Sequence, residues 1–83
     1  MVSNLNIRQD IFFSDLESVS SFLNITNKYE EDINVYDGRF CFDGKSTLAM
    51  LNLVGKELKL EIITDDISLQ NVFYEEVKYV KKG

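Results

Sequence analysis

Two short segments hold the side chains best placed to handle phosphate. The first contains Asp15 and Glu17, which follow Ser14 at the start of a helix-like stretch. A carboxylate can form an acyl phosphate, and the unpaired N–H groups of a helix start favour anions. No cluster of cations accompanies Asp15. An acid in a first helical turn is also simply a residue stabilised by the dipole, by about 0.3–1 kcal/mol. As a permanent imitation of a phosphorylated state it is incomplete, because one carboxylate carries less charge than a phosphate.

The second segment is Gly44-Lys45-Ser46-Thr47. Ser46 stands where a helix would begin, a position that suits either a plain N-cap or a phosphoserine. Lys45 beside it offers a cation. The four residues also look like the end of a nucleotide-binding P-loop. That pattern needs four residues between its first glycine and Gly-Lys-Ser/Thr, whereas five separate Gly38 from Gly44. The segment also lies between a hairpin and a helix, without a parallel sheet, so the P-loop reading is rejected. Cys41 is a lone strand cysteine with nothing nearby to depress its pKa. Glu30-Glu31 and Asp65-Asp66 are sequence neighbours that do not easily face one substrate, and they read as turn and solvent residues.

Composition narrows the chemistry further. There is no histidine and only one cysteine, so the usual zinc sets lack their nitrogen ligand and a sulfur-only set lacks its thiolates; no metal site is expected, and no disulfide can form within the chain. No cofactor is implied. A chain of 83 residues is one domain, with little room for both a core and a deep pocket. That favours small carriers, binding modules and regulatory subunits over an enzyme. The net charge of −5 argues against nucleic acid. The only basic cluster, Lys78, Lys81 and Lys82, reads as a helix end complementing its dipole. Met1 to Asn6 has neither a basic region nor an apolar run, and no stretch is apolar enough to span a membrane. A cytoplasmic location is expected.

The elements that must position these residues follow from periodicity. Leu5 and Ile7 alternate with Asn4 and Asn6, which predicts a strand over Val2 to Ile7. Ser14-Asp15-Leu16-Glu17 has the form of a capping box with Ser14 as the cap. Leu16, Val19, Phe22 and Leu23 then recur at helical spacing, predicting a helix over 15–27. Asp37-Gly38 sits between two β-rich runs, Asp32 to Tyr36 and Arg39 to Asp43, and predicts a hairpin with a type I′ turn. Ile33 and Val35 share one face; Phe40 and Phe42 share one face, with Cys41 opposite. After Ser46, Leu48 and Leu51, with Met50 as a further candidate, give a short helix its apolar stripe, ending near Asn52 to Gly55 where glycine can turn left-handed. Leu58, Leu60 and Ile62 alternate with Lys59, Glu61 and Ile63 in a strand over Glu57 to Thr64. Asp66 or Ser68 caps a last helix with Leu69, Val72, Phe73, Val77 and Val80 on one face.

The order β-α-β-β-α-β-α predicts a two-layer α+β domain, a four-stranded antiparallel sheet with three helices on one face. This order resembles the HPr family, the phosphocarriers of the bacterial sugar phosphotransferase system, whose fold is an open-faced β-sandwich. Tyr29 to Val35 is similar to the family's approach to its first hairpin. Lys45-Ser46 followed by Leu48, Leu51 and Leu53 resembles the family's signature around a regulatory serine, and Gly55 to Ile62 resembles the lead into its last strand. The likeness is best over residues 28–63 and needs two one-residue length differences.

It departs at the phosphotransfer site. Matching Phe22 to the family's first helix puts Asp15 at the histidine position, Glu17 at the arginine position and Ser18 at the proline position. The family's catalytic residues therefore do not carry over. The resemblance implies a non-catalytic HPr-like protein that binds proteins, with Ser46 as a phosphorylation switch. An HPr serine kinase and a transcription regulator are the partners the family suggests. The surface would comprise Lys45, Thr47, Leu48, Met50 and Leu51. On the plain reading Leu48 and Leu51 are core residues, and Met50 is the exposed member of the group. Two alternatives stand beside this. One is an interaction domain that kept the fold and left the pathway, working through the open sheet face or a last helix carrying Tyr74 and Tyr79. The other is a carrier that uses Asp15.

Overall fold

The computed structural model of the protein describes residues 7–81. The elements are β1 (Gln9–Phe12), α1 (Leu16–Thr26), β2 (Ile33–Asp37), β3 (Phe40–Asp43), α2 (Thr47–Leu51), β4 (Glu57–Ile62) and α3 (Ile67–Lys81). The strands form one antiparallel sheet in the order β1-β4-β2-β3. Its register sets Ile11 opposite Leu58, Val35 opposite Leu60, and Ile33 opposite Ile62. Side chains alternate across a strand, so these six lie on one face, and all are buried. The helices cover that face. Asp10, Lys59, Asn34 and Tyr36 belong to the other, uncovered face. The α+β arrangement expected from the sequence is the one observed.

The first strand lies later than Val2 to Ile7. It begins at Gln9; Ile7 precedes it, and residues 1–6 fall outside the described part. Ile11 is the residue that packs against β4, but the run Ile11-Phe12-Phe13 masks the alternation that would reveal it. The cap of α1 is also shifted by one residue. Asp15, not Ser14, is the N-cap: its carboxylate accepts from the Ser18 N–H (2.9 Å), and Ser18 Oγ accepts from the Asp15 N–H (3.3 Å). A carboxylate caps as well as a hydroxyl, and Ser18 supplies the reciprocal group expected of Glu17. Val19, Phe22 and Thr26 point inward from α1, while Leu16 is exposed.

The hairpin turns on Gly38-Arg39, since Asp37 pairs with Phe40. Only Gly38 has positive φ (61°), which matches the first central residue of a type II′ turn rather than the expected type I′. Gly55, at φ 84°, supplies the left-handed residue after α2. In α3, Asp66 Oδ1 accepts from the N–H groups of Ser68 and Leu69. Gln70, Phe73, Val77 and Val80 are buried, whereas Val72 is exposed. Val72 lies one residue, about 100° of helical turn, off the 73/77/80 line.

Candidate functional site

The site suggested by the sequence is the surface formed by α1 and α2. Both ends of α1 are tied to the ends of the α2 segment. Thr26 Oγ1 donates to the Gly44 carbonyl (2.9 Å), and the Gly55 N–H donates to the Phe13 carbonyl (2.9 Å). The two helices therefore run side by side in opposite directions, with the start of α1 near the end of α2.

Ser46 is the N-cap of α2. Its φ and ψ are −88° and 115°, and its Oγ accepts from the Ala49 N–H at 3.2 Å. It is partly exposed, and Thr47 after it is exposed. Lys45 does not reach toward Ser46 for a partner: its Nζ donates to the Tyr29 carbonyl (2.5 Å), while its N–H donates to Asp43 Oδ1.

The apolar residues of α2 are arranged opposite to expectation. Met50 is fully buried, whereas Leu48 is 74% and Leu51 41% exposed. The chain contains two competing i, i+3 pairs, Leu48/Leu51 and Met50/Leu53. The second pair faces the core, with Ala49 and Val54 packed beside it. The first pair is thereby left on the surface, and Leu16 on the neighbouring α1 is exposed as well.

At the start of α1, Asp15 and Glu17 are exposed, and the Asp15 carboxylate is engaged as the cap. They line a shallow depression with Ser18, Ser21, Asn24, Ile25, Glu76 and Val80. At its α3 side, Glu76 accepts from Lys28 Nζ (2.7 Å) and from Tyr29 OH (2.6 Å). Lys28, with Tyr29, holds the Glu76 carboxyl below its usual range. Burial, reinforced by the bond to Glu76, pushes the Tyr29 phenol up to about 12.

A second polar cluster lies on the uncovered sheet face, on the side away from the helices. Glu61 alternates with Leu60 and Ile62, so it points away from the core, yet its side chain is only 5% exposed. Tyr36 OH donates to Glu61 Oε1 at 2.6 Å, and Asn34 Nδ2 donates to Tyr36 OH at 3.3 Å. Arg8 covers the cluster, with its guanidinium carbon 3.8 Å from the Tyr36 ring centroid and its Nε 3.6 Å from Glu61 Oε1. The bond to Glu61, with burial, raises the Tyr36 phenol above its ordinary value. Cys41 is exposed on β3. On α3, Tyr74 is partly buried and its OH donates to the Ile7 carbonyl (2.5 Å), while the Tyr79 side chain lies outside the described part.

No family model matches the sequence, and no curated protein matches it. Solved structures do. The phosphocarrier protein HPr from Bacillus anthracis str. Ames superimposes with a TM-score of 0.62 at 14% identity, over 95% of this chain and 96% of that one. HPr-C-His from Thermoanaerobacter tengcongensis gives a TM-score of 0.69 at 16% identity, over 93% and 90%. The chain has the HPr-like fold. Among the described residues, no helix is long and apolar enough to cross a membrane.

Proposed function

We propose that this is a divergent HPr-like protein that works by binding other proteins through its α1–α2 surface, with phosphorylation of Ser46 as the switch. It performs no phosphotransfer through the family's histidine site and is not an enzyme. The observation that carries the reading is the pairing of Ser46, as the partly exposed N-cap of α2, with Leu48 and Leu51 left in solvent just beyond it. Exposed apolar side chains beside a modifiable serine suit a regulated protein contact.

The start of α1 supports the non-catalytic half of the reading. A transferable phosphoryl group needs a nucleophile and free anion-binding donors. The 83 residues contain no histidine, and the N–H of Ser18 is already bonded to Asp15. Glu17 adds negative charge where the family offers a cation. The partner is a protein of the sugar phosphotransferase network, such as an HPr serine kinase or a transcription regulator, and the protein acts in the cytoplasm.

Intact-protein mass after incubation with ATP and an HPr serine kinase tests this. Gain of one phosphoryl group in the parent and none in Ser46→Ala supports the switch. No gain in either removes it and leaves Ser46 as a helix cap.

A further inference from the structure

The cluster on the uncovered sheet face has the chemistry of an arginine receptor. A guanidinium is bound well by an aromatic face together with a carboxylate. Here Tyr36 supplies the face. Glu61 supplies a carboxylate whose side chain is almost wholly buried, and Asn34 braces the Tyr36 hydroxyl. The register explains the assembly. Gln9 pairs with Leu60 and Asn34 with Glu61. Arg8, one residue before Gln9, therefore starts beside Glu61 and reaches across β4 toward Tyr36 on β2.

Arg8 fits this receptor imperfectly. Its Nε stands 3.6 Å from Glu61 Oε1, whereas charge-assisted N–H···O bonds close to about 2.7–2.9 Å. Its side chain is half exposed. In this arrangement no short guanidinium–carboxylate bond forms between Arg8 and Glu61, so an incoming arginine that closes to that distance would bind the carboxylate better.

We propose that Asn34, Tyr36 and Glu61 form a guanidinium-binding site on the open sheet face, filled in the free protein by the chain's own Arg8 and opened to an arginine side chain of a partner when Arg8 moves away. The internal arginine acts as a competing ligand. The partner's apparent affinity is reduced by the fraction of time that Arg8 occupies the site. This site is separate from the α1–α2 surface and stands whether or not Ser46 is modified.

The test is an amide NMR titration with N-acetyl-arginine N-methylamide on the parent, on Arg8→Ala, and on Arg8→Ala combined with Glu61→Gln. Arg8→Ala should show saturable shifts at Asn34, Tyr36 and Glu61. Its affinity should exceed the parent's by about tenfold if Arg8 covers the site about nine-tenths of the time. The double variant should lose the binding, and the corresponding lysine derivative should bind Arg8→Ala more weakly. Arg8→Gln serves in the same way should the alanine variant lose its dispersed spectrum. Absence of saturable shifts at these residues in a folded Arg8 variant overturns the proposal. So does equal affinity in parent and variant.

Discussion

At the scale of single residues, the caps and one long-range triad constrain the chain. Asp15 closes a reciprocal box with Ser18, so Asp15→Ala should cost about 1 kcal/mol in a urea unfolding titration. The triad of Lys28, Tyr29 and Glu76 makes stability depend on pH at both ends of the scale. Glu76 titrates below its ordinary 4.5. The unfolded chain therefore takes up this proton first as pH falls. The contribution is complete above 4.5 and is lost as pH drops through the lower folded value. Thermal midpoints measured across the acid range should show this loss, and Glu76→Gln should flatten it. Tyr29 behaves in the opposite sense. Its folded pKa of about 12 exceeds the ordinary 10.0, so its contribution is complete below pH 10.0 and disappears on raising the pH toward about 12. Ultraviolet titration should find Tyr29 ionising well after an unperturbed tyrosine, with Tyr36 and Tyr74 also displaced upward, and Glu76→Gln should bring the Tyr29 phenol earlier.

At the scale of elements, the connection between hairpin and α2 is closely packed at Gly44. The Gly44 N–H donates to the Ile33 carbonyl (2.7 Å), and its own carbonyl accepts from Thr26. A Cβ added at Gly44 would lie 2.6 Å from Ile33 Cγ2 and 3.0 Å from the Ile33 carbonyl oxygen. Gly44→Ala should therefore destabilise by about 1–3 kcal/mol through overpacking, read as a lower urea midpoint. By contrast, Gly38 and Gly55 are required for their positive φ, since nothing lies within 4 Å of a Cβ built at either. The rotation of α2 shows where periodicity fails. Its five residues span too little of a helix to choose between the Leu48/Leu51 and Met50/Leu53 stripes. Packing against the rest of the core made the choice, and with it decided which side chains remain for a partner.

At the scale of the whole molecule, one core joins the sheet to the helices. Phe13, Phe22 and Phe73 are fully buried within it, and Phe13 meets Phe22 with ring centroids 5.0 Å apart. A domain this small has little stability in reserve. Phe73→Ala removes about 3–5 kcal/mol, and the variant should show partial or complete loss of its folded circular dichroism at room temperature. The element order, the antiparallel α+β layering and the inward faces of β2 and β4 were legible in the sequence, because the alternation of Ile33, Val35, Leu58, Leu60 and Ile62 repeats every two residues along each strand. So was Ser46 as a cap, because a serine before a short apolar run is a local signal. What depended on residues distant in sequence was not legible. Whether Met50 or Leu48 faces the core is set by where α1 and the hairpin hold α2. Nothing local to Glu61 marks it as buried, since the side chains that cover it, Arg8 and Tyr36, come from two other strands' neighbourhoods. The sequence by itself determined the periodicity, and hence the elements and their order; only tertiary packing decided which apolar residues stay in solvent and which carboxylate loses it, because burial depends on chain segments meeting across the fold.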